Sequence, residues 1–118
     1  MTLHEIAPLI DLDLSRVVAL FMGKEEMYVK FLRKFPDNLK RLLGELKEAV
    51  ESDSHEAIEA AAHGIKGIAS NLGVRHVTDL GTALMLDIRE KTPENIKEHY
   101  EALVIEAEKA ISYIEKLD

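Results

Sequence analysis

At 118 residues, 47% hydrophobic and 31% charged, the chain has the size and balance of one globular unit able to bury a proper core, so a single domain over residues 1–118 is expected. A formal net charge of −7 argues against a nucleic-acid or anionic-membrane binder, because counterion release needs clustered cations. The lack of cysteine excludes a disulfide framework and a thiolate zinc site, and fits a reducing compartment.

Aromatic residues make up only 5% and there is no tryptophan. Leu, Ile, Val, Ala and Met must supply the core, which suits helix-on-helix packing better than a β-sandwich. The longest apolar runs are far too short to span a bilayer, and no basic-then-apolar leader pattern follows Met1. A cytoplasmic location with no membrane partner is expected.

Residues 1–13 mix apolar side chains with Pro8 and acidic residues and read as a lead-in segment. Leu14, Val17, Val18 and Phe21 give a short helical stripe, with Asp13 as N-cap and Gly23 at the left-handed position that ends it. From Glu25 to Glu51 a long amphipathic pattern runs through Tyr28, Phe31, Leu32, Phe35, Leu39, Leu42, Leu43, Leu46 and Val50. Pro36 removes a backbone donor in its middle, which predicts a kink or break near Phe35; the stripe keeps its register, which favours a kink. Asp53 followed by Glu56 resembles a capping box and starts a central helix ending near Asn71-Leu72, with Gly73 just beyond. A further helix over about Val74 to Lys91 is predicted to bury Val77, Leu80, Leu84 and Ile88. Thr92-Pro93-Glu94 reads as a restart with a threonine cap. The last helix carries Ile96, Tyr100, Leu103, Ala107, Ala110, Ile114 and Leu117 at three- and four-residue steps. No strand-like alternation appears. The pattern predicts an all-α fold, an antiparallel four-helix bundle with a short additional N-terminal helix.

The informative stretch is Ala60 to Gly73, AAAHGIKGIASNLG. Ile58, Ala61, Ile65, Ile68 and Leu72 form one apolar stripe. At about 100° per residue, His63 points roughly 170° away from its middle and so faces solvent. Glu59, Lys66, Gly67 and Ser70 share that face. Gly64 and Gly67 each cost a helix interior about 1 kcal/mol relative to alanine. A helix that accepts this beside an exposed histidine leaves room for a partner surface to approach.

Histidine has an unperturbed pKa of about 6.5, so a ring nitrogen lone pair is available as a nucleophile near neutral pH. Lys66, one turn on, can pair with an arriving phosphoryl group, and Gly67 has no side chain to obstruct a partner. Nucleophile, cation and clearance together suit phosphoryl transfer, in which catalysis is mostly positioning and charge neutralisation.

His63-Gly64-Ile65-Lys66-Gly67, with Leu72-Gly73 at the helix end, resembles the H-x-x-K-G…G signature of histidine-containing phosphotransfer (Hpt) domains. Ile10-Asp11, Gly23, the Phe-Leu-x-x-Phe segment from Phe31 to Phe35, Asp53 and Ala62 also fit that family. The resemblance implies a phosphorelay intermediate of two-component signalling, with His63 as phosphoacceptor and Lys66 as phosphoryl charge partner. It implies that Gly67 gives clearance. Glu59, Ala60, Gly64 and Ser70 are the other candidate partner-binding residues. The implied partners are response-regulator receiver domains, with a hybrid sensor histidine kinase as a further candidate, and the chain is expected to be a monomer. Magnesium belongs to the receiver, and no cofactor of its own is expected. With no Gly-rich nucleotide loop or kinase motif set, the chain is expected to be a phosphoryl carrier without kinase activity.

The alternative is a non-catalytic helical adaptor that binds receiver or kinase domains without being phosphorylated. His4-Glu5-Ile6-Ala7-Pro8 is similar to a sensor-kinase histidine box but one residue too short. No Glu-x-x-His pair of the di-iron type is present. His55, Glu59 and His63 lie on neighbouring turns but point outward, so no metal site is expected. His55, His76 and His99 read as solvated surface residues. Lys30, Arg33, Lys34, Lys40, Arg41 and Lys47 read as a solvated face, or as a dock for an acidic receiver surface.

Overall fold

A computed structural model describes all of residues 1–118, and every regular element in it is helical. The order is α1 (Leu3–Ile6), α2 (Leu14–Leu20), α3 (Glu25–Leu32), α4 (Phe35–Glu51), α5 (His55–Asn71) and α6 (Arg75–Arg89). A 3-10 turn (Pro93–Asn95) then leads into α7 (Ile96–Ile114). Helices α3 and α4 together form one arm of a four-arm bundle whose other arms are α5, α6 and α7. Each arm packs on the next, and α4 closes the ring against α7. The apolar stripes meet in one cluster of 29 buried residues, including Leu32, Phe35, Leu39, Leu46, Ile58, Ile65, Leu84, Leu103 and Ile114. No helix is long and apolar enough to cross a membrane.

The first thirteen residues are more than a lead-in. Thr2 and Glu5 form a reciprocal capping box on α1, and Leu3, Ile6, Ala7, Ile10 and Leu12 are buried in the core. The segment is tied to the α5–α6 connection. Leu12 bridges Val74, the Asp13 N–H donates to the Gly73 carbonyl at 2.9 Å, and the Arg75 guanidinium donates to Asp11 Oδ1 at 2.8 Å. The fold therefore has two short N-terminal helices rather than the one expected, because a four-residue helix leaves too few apolar positions to show a period.

Other local differences have equally plain causes. Asp13 precedes α2 but makes no capping bond; its carboxylate takes the Arg16 Nε at 3.0 Å instead. Met22 (φ 58°) holds the left-handed position after α2, and Gly23 (φ 77°) follows it. Near Pro36 the helical ladder breaks: the Lys34 N–H turns to the Phe31 carbonyl at 3.1 Å, and Pro36 sits in the first turn of α4, where an N–H has no helical partner to lose. Arg33 and Lys34 both keep right-handed helical dihedrals, so the arm continues across the break.

The end of α5 is held firmly. Gly73 is left-handed (φ 74°), and the Val74 N–H closes back onto the Ala69 carbonyl at 2.9 Å. The Leu72 carbonyl accepts the Tyr28 hydroxyl at 2.6 Å. Burial pushes the Tyr28 phenol well above its ordinary pKa, so it remains a donor at any working pH.

A Cβ at Gly73 would lie 2.7 Å from Val17 Cγ1, whereas one at Gly23 would meet nothing within 4 Å. Both positions are left-handed and disfavour an L side chain by about 1–2 kcal/mol. Urea unfolding should therefore show Gly73→Ala to be less stable than Gly23→Ala by about 1 kcal/mol or more, the cost of overpacking against α2. Equal losses would mean that Val17 yields freely.

Candidate functional site

Helix α5 starts at a Ser54 cap, whose Oγ accepts the Ala57 N–H at 3.3 Å. Asp53, the expected cap, is instead left-handed (φ 51°) in the turn before it. From there the helix buries Ile58, Ala61, Ala62, Ile65 and Ala69, with Leu72 buried at its end and Ile68 half-buried. His63 stands on the opposite face and is exposed.

The surroundings of the five histidines set His63 apart. His4 lies 3.0 Å from Glu25 and His55 lies 3.5 Å from Asp53. His76 sits between Asp11 at 3.2 Å and Glu106 at 3.4 Å. His99 Nδ1 is 2.6 Å from Asp87 Oδ2. His63 alone has no carboxylate within 4 Å and no hydrogen-bond partner in the protein. Its ring nitrogens are open to an incoming group.

The expectation that His99 is merely solvated is corrected by this geometry. Asp87 is 5% exposed and receives both His99 and, at 3.3 Å, the Thr92 hydroxyl. Thr92 therefore spends its hydroxyl on Asp87 and does not cap the following turn. A buried carboxylate needs such partners, and the pair fastens α6 to α7.

Lys66 is half-buried one turn beyond His63 and makes no ion pair. Gly67 is exposed, and a Cβ there would meet nothing within 4 Å. Packing therefore does not require glycine at that position. Gly64 differs: its Cβ would lie 3.2 Å from Leu42 Cδ2, so it faces α4 and not open space. Ser70 is half-buried, and its carbonyl accepts an Arg16 Nη2 hydrogen bond at 3.0 Å. Ala60 and Glu59 join His63, Glu56 and Arg89 around a shallow depression of about 320 Å³.

Sequence reasoning missed Arg89 and Gly81. Arg89 reaches across from α6, its Nε donating to Glu59 Oε1 at 2.7 Å. Gly81 lies where α6 crosses α5, and its Cβ would come within 3.2 Å of the Ala62 carbonyl and 3.3 Å of the Lys66 backbone nitrogen. A glycine in mid-helix was the available signal for Gly81. Arg89 carried none, because pairing α6 with α5 depends on register between helices.

No group of three or more His, Asp or Glu side chains is placed to hold a metal ion. The basic face of α3 and α4 is exposed, yet part of it is engaged. Lys40 pairs with Glu115 at 3.0 Å and Arg41 with Glu45 at 3.4 Å. Arg33 donates to the backbone oxygens of Leu117 and Asp118.

A family model for the Hpt domain matches residues 27–112, which include the whole of α4, α5 and α6. The chain belongs to the Hpt family. That family assignment carries a phosphorelay histidine-phosphotransfer role, as a phosphoryl carrier. The Hpt chain is also 33% identical over 72 residues to the sensory/regulatory protein RpfC from two strains of Xanthomonas campestris pv. campestris. The match covers 61% of this chain but 10% of each relative, so the chain spans about a tenth of their length. It places the Hpt domain among two-component signalling partners in general. No solved structure matches it.

The glycine that follows Lys66 and the α6 glycine packed against its backbone should respond in opposite ways. Gly67→Ala should raise stability by about 0.5–1 kcal/mol, the ordinary helix-propensity gain. Gly81→Val should lower it by about 1–3 kcal/mol, since backbone atoms of α5 cannot step aside. Thermal or urea unfolding of the two variants tests this, and a destabilising Gly67→Ala would show that packing, after all, demands that glycine.

Proposed function

We propose that this Hpt domain carries a phosphoryl group on His63, taking it from the aspartyl phosphate of one receiver domain and yielding it to the aspartate of another. The supporting observation is that His63 alone among the histidines is exposed and free of any carboxylate partner. A neutral ring offers one unprotonated nitrogen. Its lone pair attacks phosphorus, the P–O bond to the receiver carboxylate breaks, and that carboxylate leaves with the bonding electrons. The ring keeps its proton on the other nitrogen, so the product is a phosphoryl-imidazolium beside a free carboxylate. Charge is conserved, and the reverse step delivers the group to the next receiver.

Lys66 supplies positive charge to a group that carries close to two negative charges. It has no carboxylate to leave first. Gly67 keeps the next turn bare so that a receiver surface can bring its aspartate to the ring. Glu59, Ala60 and Ser70 form the rest of the contact area, whereas Gly64 faces Leu42 of α4 and lies outside it. Magnesium and its acidic ligands belong to the receiver, which supplies most of the transfer site. The domain acts as a monomer in the cytoplasm, with residues 1–118 as one unit, and a hybrid sensor kinase is a further partner.

Incubation with a radiolabelled phospho-receiver and magnesium tests the proposal. Label should move to the unaltered chain and not to His63→Gln. Lys66→Ala should slow transfer or shorten phosphohistidine lifetime by about two- to fivefold, as loss of a half-exposed charge contact predicts. Gly67→Glu should reduce transfer about tenfold or more at unchanged helix content, because it adds bulk and like charge at the contact. Label on the His63→Gln protein, or on neither protein across a panel of receivers, would favour the adaptor reading.

A further inference from the structure

The depression beside His63 contains a second cation in an unusual position. Arg89 is 57% exposed and bound to Glu59 through Nε alone. Its terminal nitrogens have no acceptor in the protein. A guanidinium has five N–H donors in a planar fork that suits a phosphoryl group, and here most of them are uncommitted. Glu59 lies one helical turn before His63 on the same face, and both line the depression with Arg89. Close packing at Gly81 fixes α6 against α5, which keeps the base of Arg89 level with Glu59 about two turns further along α6.

We propose that Arg89 exchanges partners when His63 is phosphorylated, leaving the Glu59 carboxylate for the phosphoryl oxygens, so that Glu59 sets how long the phosphohistidine lasts. The inference rests on the phosphoacceptor role argued above for His63. Before modification, the charges around the ring balance: Glu56 and Glu59 oppose Lys66 and Arg89. A phosphoryl group adds close to two negative charges. It repels Glu59 and attracts the guanidinium, and a phosphoryl group offers the fork more oxygens than the one it leaves. Glu59 thus has two effects: it parks Arg89 beside the ring and competes with the phosphoryl group for it. Lys66 has no such competitor. The two cations therefore act differently, Lys66 as a constant charge and Arg89 as a conditional one.

The test uses phosphoramidate, a small donor that needs no receiver, with the modified residue mapped by mass spectrometry. Phosphohistidine lifetime is then followed in the unaltered chain, Arg89→Gln, Glu59→Gln and the double variant, with circular dichroism confirming the fold of each. Arg89→Gln should shorten the lifetime about two- to fivefold, the scale of a half-exposed ion pair. Glu59→Gln should lengthen it by a similar factor, and in the double variant Glu59→Gln should have no effect. That dependence separates an exchange from a merely structural ion pair, whose loss would move stability in both single variants alike. Unchanged lifetime in Arg89→Gln, or a Glu59→Gln effect that persists without Arg89, overturns the exchange while leaving His63 as phosphoacceptor. Failure of phosphoramidate to modify residue 63 at all overturns both.

Discussion

The close contact between α5 and α6 is the constraint on which the site depends. At Gly81 the two helices approach until a single added carbon would press on the Ala62 carbonyl and the Lys66 backbone. Helix axes this near each other bury Ala61, Ala62 and Ala69 efficiently, because small side chains leave no gap to fill. The same approach gives α5 a rigid backing. His63 can then stand fully outward without local support, since its position is inherited from the helix and not from contacts of its own.

Much of this was legible in the chain. Apolar residues at three- and four-residue spacing marked α4, α5, α6 and α7, because one-sided burial leaves that period in any amphipathic helix. His63 could be placed on the solvent face from angle alone, and Gly73 could be placed at the end of α5 because few other residues adopt its dihedral. What escaped notice depended on contacts across the fold. Helix α1 is too short to show a period. The Asp87–His99 pair joins residues on different helices, and the Glu59–Arg89 pair depends on how α6 is registered against α5. Caps were misplaced by one residue at Asp53 and Ser54, where either side chain is a good candidate and only the backbone turn decides.

The polar groups around the bundle divide into fastenings and free ends. Tyr28 on the Leu72 carbonyl, Arg75 on Asp11, and Asp87 with His99 and Thr92 join elements far apart in the chain. Each satisfies a group that would otherwise be costly to bury or would leave a connection loose. Four histidines belong to this set or to surface ion pairs. The fifth has no fastening role. Nothing in the fold uses the His63 ring, and nothing in the fold would be lost if that ring were modified.

This separation matters for a carrier. A group that is accepted and then given up must be held neither too weakly nor too strongly, since excess stabilisation on the carrier raises the barrier to the next transfer. Cations buried against the ring would overshoot, because attraction grows steeply as water is excluded. On this surface Lys66 is half-buried and unpaired and Arg89 is exposed, so the attraction of either for a group at the ring is screened by water. Glu59 offsets one of them further. An open, partly compensated setting is thus suited to reversible loading.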